Sequence, residues 1–117
     1  GIGPVDQGDR VCVDVAGNPG DVALVNLTPI GASGLGNGQL ISSTVTNPPV
    51  ASNVNYGPGT VDPNVAIAPI GTDGKVCYAN DNLASVHLIA DHLGTIDANV
   101  FTPPTDTGAP ARRIDTR

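Results

Sequence analysis

Fifteen glycines and eleven prolines interrupt this chain of 117 residues every few positions. That punctuation excludes a long helix, because an interior glycine costs about 1 kcal/mol and an interior proline about 3 kcal/mol. The acids agree. All eleven are aspartate, with no glutamate, and Lys75 is the single lysine. Asp, Asn, Gly, Pro and Thr are turn and strand residues, whereas the helix formers Glu, Lys, Met and Gln are scarce or absent. The chain therefore reads as many short strands joined by tight turns. It is one domain, long enough to bury a core. With no Trp, no Met and only Phe101, Tyr56 and Tyr78 as aromatics, that core rests on Val, Ile, Leu and Ala.

The strands can be picked out in order. After a polar, Gly-rich lead-in (residues 1–9), residues 10–16 alternate with Val11, Val13 and Val15 on one face. A turn cluster follows at Gly17–Gly20. Residues 21–30 are apolar on both faces, as a central strand is. Residues 31–38 read as a glycine-rich loop and 39–46 as a β-branched strand closed by Pro48 and Pro49. A short piece, 51–56, carries Asn53 and Asn55, two apart and so on one face. Residues 64–70 and 75–79 flank Gly71-Thr-Asp-Gly74, the strongest hairpin signal in the chain. The total is an all-β antiparallel sandwich of seven or eight short strands over residues 1–99. Residues 100–117, with Pro103, Pro104 and Pro110, form an extended tail that docks on its own module or a neighbour.

The formal net charge is −6. So acidic a chain lacks the clustered cations that neutralise nucleic-acid phosphates and offers no basic face to anionic lipid. No apolar run is long enough to span a membrane. Without a signal peptide at Gly1, the chain reads as a mature unit cut from something longer.

Chemistry concentrates in residues 80–96, which hold His87, His92, Asp81 and Asp91. Helical spacing is conceivable here, but the neighbourhood and Gly94 favour a strand, central in the sandwich, with Leu83, Val86, Leu88 and Ile89 inside and Asp91 turning the chain. His87 and His92 lie five positions apart, so a strand sends them to opposite faces and they do not chelate one metal locally. A Ser-His-Asp triad lacks a Gly-x-Ser-x-Gly elbow. The glycines of residues 31–38 lack the following helix and lysine that a phosphate cradle needs. Asp62, Asp73, Asp81, Asp91 and Asp97 could supply oxygens to Ca²⁺, but no Asp-x-Asp-x-Asp-Gly run is present and solvated turn carboxylates are the plainer reading. A Lys-Asn cross-link would have to use Lys75, which follows a turn directly. Asn53 and Asn55 read as structural amides satisfied by backbone groups.

Cys12 and Cys77 both lie in alternating strands. They could pair, closing a long loop worth roughly 4 kcal/mol in the chain-entropy model, or remain two buried thiols. Lysine-poor, Asp/Asn/Thr-rich β chains are characteristic of exported proteins, which favours the bridge. In the tail, Arg113, Asp115 and Arg117 alternate onto one face, where Asp115 can accept from a flanking guanidinium. They form a staple for the tail or a junction with the next unit.

Five pieces in order carry a resemblance: Ala51-Ser-Asn-Val-Asn-Tyr56, Asn64-Val-Ala-Ile-Ala68, Gly74-Lys-Val-Cys77, Val86-His-Leu-Ile-Ala-Asp91 with Gly94, and Pro110-Ala-Arg-Arg-Ile-Asp-Thr-Arg117. They resemble a β-rich repeat, closing on Pro-x-Arg-hydrophobic-Asp-Thr-Arg, that occurs in tandem in secreted and cell-surface actinobacterial proteins. Two departures stand out. The family's second cysteine falls near the segment 42–46, whereas here it is Cys12, which implies that the partner of Cys77 has moved across the sandwich. The family's Gly-Tyr-Phe is here Gly94-Thr-Ile96. The resemblance implies a non-enzymatic, extracellular structural module without a cofactor, in contact with copies of itself in a fibre, stalk or adhesin. The alternative is a carbohydrate- or cell-wall-binding module, weakened by the scarcity of aromatic faces.

Overall fold

The structure, a computed structural model, describes residues 3–48, 52–81 and 84–100. Among these there is no helix. The seven strands are β1 (Arg10–Asp14), β2 (Val22–Ile30), β3 (Gly36–Ser42), β4 (Val54–Tyr56), β5 (Asn64–Pro69), β6 (Lys75–Asn80) and β7 (His87–Ile96). They form two antiparallel sheets, one of four strands in the order β1-β6-β3-β4 and one of three in the order β5-β2-β7. The sheets pack face to face as the sandwich expected from the sequence.

Strand alternation explains the core. Ala23, Val25 and Leu27 of β2 and Ala66 and Ala68 of β5 meet Leu40, Val54, Tyr56, Val76 and Tyr78 of the opposite sheet. The doubly apolar β2 is the middle strand of its sheet, as its sequence requires. A smaller cluster of Ile41, Val45, Cys77 and Ala79 lies on the far side of the four-stranded sheet, since Cys77 and Ala79 alternate with the inward Val76 and Tyr78. The chain after β3 covers it, held where the Arg10 guanidinium donates to the Val45 carbonyl at 2.6 Å.

Glycines in β3 serve the two tyrosines. A Cβ on Gly36 would stand 2.4 Å from the Tyr56 ring, and one on Gly38 would stand 2.2 Å from the Tyr78 hydroxyl. What the sequence presents as a flexible loop at 31–38 is thus partly strand. Its missing side chains make room for the two largest core residues.

Three expectations need correcting. The Gly71–Gly74 turn exists, with Gly74 at a φ of 79° and its N–H bonded to the Gly71 carbonyl, but it does not close a hairpin. β5 and β6 belong to different sheets. Ile70 is locked to the start of β2 by bonds to Gly20 and Asp21, so the turn arches the chain across the sandwich. Residues 87–96 are not a central strand either: β7 is the edge of its sheet. Val86 is buried and Leu88 half-buried, but Ile89 is 48% exposed, while Leu83 lies outside the described residues. Asp91 sits mid-strand opposite Asn26 and turns nothing. Finally, Cys12 and Cys77 are bonded, but along one sheet between the neighbours β1 and β6, not across the sandwich.

Candidate functional site, an open seam between two edge strands

β1 and β7 are edge strands of different sheets, and they border the same side of the sandwich. Between them runs a cleft of about 270 Å³ lined by Gly3, Val5, Val11, Val13, His87, Leu88 and Ala90. The alternation of β1 turns Val11 and Val13 toward it. The pairing of β7 with β2 turns Leu88 and Ala90 the same way, because they stand opposite the inward Pro29 and Leu27. These side chains are only partly covered: Val13 is 39% exposed and Ala90 is exposed.

Both ends of the seam are closed. At one end Val5 and Val86 exchange backbone hydrogen bonds of 2.7 and 3.1 Å, and both side chains are buried. Asn80 holds this closure. Its Nδ2 donates to the Val5 carbonyl at 2.9 Å and the Ala84 carbonyl at 2.8 Å, and its Oδ1 accepts from the Tyr56 hydroxyl at 2.5 Å. At the other end the Thr95 hydroxyl donates to the Ala16 carbonyl. That uses the Thr95 proton, so His92 Nε2, 3.0 Å away, is the donor to Thr95 Oγ1.

The second uncovered surface is the outer face of the three-stranded sheet. Val65, at 60% exposure, Ile67, Ile30 and Ile89 stand there around half-buried Leu24, Asn26 and Thr28. His87 and Asp91, opposite Ile30 and Asn26, also stand on this face.

The chemistry weighed from the sequence finds the following places. His87 and His92 stand opposite Ile30 and Val25, hence on opposite faces of β7. Among the described residues no cluster of three His, Cys or Asp side chains is placed to hold a metal ion. Asp73 is a turn carboxylate: it accepts from the Ser43 hydroxyl and from the Lys75 backbone N–H at 3.1 Å. The Ser43 hydrogen bond chiefly holds its carboxyl below the usual range. Asp81 is pushed up by burial, against the Gln39 hydrogen bond and the Arg10 charge. Burial raises both Tyr56 and Tyr78, so each stays a neutral phenol. Asn53 Oδ1 accepts from the Leu40 N–H at 2.7 Å, the backbone partnership expected of it. Asn55, between the buried Val54 and Tyr56, is exposed and does not share that role. Arg113, Asp115 and Arg117 lie outside the described residues, as does Phe101.

The sequence did not mark Val5 or Asn80. Val5 sits in a lead-in of polar and glycine residues, and Asn80 in an Asn-Asp-Asn run that reads as a turn. One signal was available for Val5: it is an isolated β-branched residue two positions after Gly3.

No protein-family model, curated protein or solved structure matches this chain. Its function therefore rests on the geometry above. Two features bear on compartment. The Cys12–Cys77 bond fits an oxidising, extracellular setting, and no helix among the described residues is long and apolar enough to cross a membrane.

Proposed function

We propose that this chain is a non-enzymatic structural module of a secreted or cell-surface repeat protein, and that copies of it associate into an extracellular fibre, stalk or adhesin. The observation that carries this reading is the open seam. A ten-residue edge strand, β7, whose outer backbone ladder pairs among the described residues with nothing beyond Val86 and lies beside an apolar cleft, is a template for pairing with another chain. The uncovered outer face of the same sheet adds apolar area where a neighbour can rest. The disulfide supports placement outside the cell. Neighbouring copies are the partners. Neither nucleic acid nor a metal cofactor enters the reading.

A carbohydrate-binding module would need exposed aromatic rings to stack on sugar faces. Tyr56 and Tyr78 are 4% and 2% exposed, which weighs against that use. Electron microscopy of the native protein, paired with pull-down on cell-wall glycan, separates the two. Ordered fibres or chains support assembly. Monomers that sediment with the glycan overturn it.

A further inference from the structure

We infer that the seam between β1 and β7 receives residues 111–117 of a second copy of this chain, added as a strand antiparallel to β7. This rests on the assembly reading above and names its contact.

The ladder is already begun. Because Val5 and Val86 exchange both backbone bonds, the N–H and C=O of Val86 point away from β2. Alternate residues of an antiparallel strand point the same way, so the backbone groups of Leu88 and Ala90 also face the open edge. Among the described residues β7 pairs there with nothing beyond Val86. The inward side chains of an added strand would meet Val11, Val13, Leu88 and Ala90. A cleft of about 270 Å³ has room for a few side chains, which suits the alternate side chains of one strand. The free stretch, from Leu88 to His92, spans roughly 17 Å at about 3.3 Å per residue. That is the length of a short strand.

The occupant follows from the sequence of the tail. Seventeen residues continue beyond Val100. Residues 111–117, Ala-Arg-Arg-Ile-Asp-Thr-Arg, are free of Gly and Pro. They alternate so that Arg112, Ile114 and Thr116 share one face and Ala111, Arg113, Asp115 and Arg117 the other. Ile114 is the apolar anchor for the cleft, Arg112 on the same face reaches to the neighbour's acids at its rim, and the face of Arg113, Asp115 and Arg117 looks to solvent. The charges are complementary. Residues 111–117 hold three of the five cations and one of the eleven aspartates, and the remaining ten aspartates stand against Arg10 and Lys75 alone. Asp91 on β7, Asp14 on β1, and Asp6 and Asp9 in the lead-in, on the elements that border the seam, are all exposed. The intervening stretch contains Pro103, Pro104 and Pro110, a composition that favours extended, semi-rigid backbone. Such a spacer suits the last seven residues for reaching another copy.

Cross-linking of full-length chains tests this. Ala90→Cys and Ile114→Cys chains are mixed under mild oxidation, with Val65→Cys, on the opposite edge of the same sheet, as the control partner for Ile114→Cys. The expected result is a covalent Ala90→Cys/Ile114→Cys dimer enriched about tenfold over the control, the signature of a preferred contact. No enrichment, or an intrachain bond in a chain carrying both substitutions, overturns docking in trans. Ala90→Asp, at an exposed position, should retain the wild-type unfolding midpoint and lose association by about tenfold or more. Wild-type association by that variant also overturns the proposal. Fibres or oligomers that form without the Ala90–Ile114 link would sink the seam contact and leave the assembly reading standing. A chain monomeric at every concentration would remove both.

Discussion

Cys12 and Cys77 stand directly opposite each other on β1 and β6, their Cα atoms 4.0 Å apart. Cys12 is exposed and Cys77 is fully buried. The bond therefore clamps an edge strand, one that borders the seam and among the described residues pairs with no strand but β6, to the interior of its sheet. It also closes a loop with a sequence separation of 65, which in the chain-entropy model removes about 4 kcal/mol of denatured-state freedom. Replacing both cysteines by serine should lower the unfolding free energy by about 3–5 kcal/mol in urea titrations. A loss below about 1 kcal/mol would show that β1 is held by its ladder alone.

Asn80 ties Val5, Ala84 and Tyr56 together in a buried site. Asn80→Ala would leave two carbonyls and a phenol without that partner, at a cost of about 2–4 kcal/mol. Tyr56→Phe, which removes one hydroxyl, should cost about 1 kcal/mol. Hydrogen exchange gives the spatial check. In Asn80→Ala the Val5 and Val86 amides should lose protection before those of β2. Uniform loss across the sandwich would contradict the assignment of Asn80 to the closed end of the seam.

The glycines of β3 differ sharply from Gly94 of β7. Gly38→Ala would drive a Cβ into the Tyr78 hydroxyl and should destabilise by about 1–3 kcal/mol, the usual range for overpacking. Gly94 has nothing within 4 Å of an added Cβ and no left-handed φ. Gly94→Ala should therefore lie within about 0.5 kcal/mol of wild type. Thermal unfolding of the two variants side by side is the comparison, and equal effects would argue against close packing of Tyr78 over β3.

Asp73 sets a pH dependence with a definite sign. Its folded carboxyl titrates below the ordinary value of 3.8, first because of the Ser43 hydroxyl and then the Lys75 backbone N–H. An acid with a depressed folded value contributes stability that is present above the ordinary value and lost as pH falls through the folded one. Ser43→Ala should move the Asp73 carboxyl upward in an NMR titration and flatten the acid limb of the stability profile. An unmoved Asp73 would contradict the hydrogen bond as the cause.

Much of this architecture is legible in the residues, and the failures have identifiable physical causes. Period-two alternation marks β1, β2, β5 and β6, because β2, β5 and β6 bury one face or both and β1 turns its valines to the seam. It does not say which strands are edges, and so β7, dense in Leu, Ile and Ala, reads as a core strand. Turn chemistry at Gly71–Gly74 specifies a reversal but not whether the reversal stays within one sheet. That choice belongs to the distant bonds between Ile70 and residues 20–21. The seam is the hardest feature to foresee. Val11 and Val13 look like ordinary inward residues, and only the sheet order reveals that they line a partly open cleft. The tail motif Arg113, Asp115, Arg117 is plain in the sequence, and its contact is a matter for experiment.

Sedimentation equilibrium of the full chain, run over a wide concentration series beside a chain ending at Val100, tests assembly through the tail most directly. Self-association by the full chain, with a truncated chain that stays folded and monomeric, is the predicted result. A full chain that remains monomeric throughout, or a truncated chain that associates equally well, would contradict it.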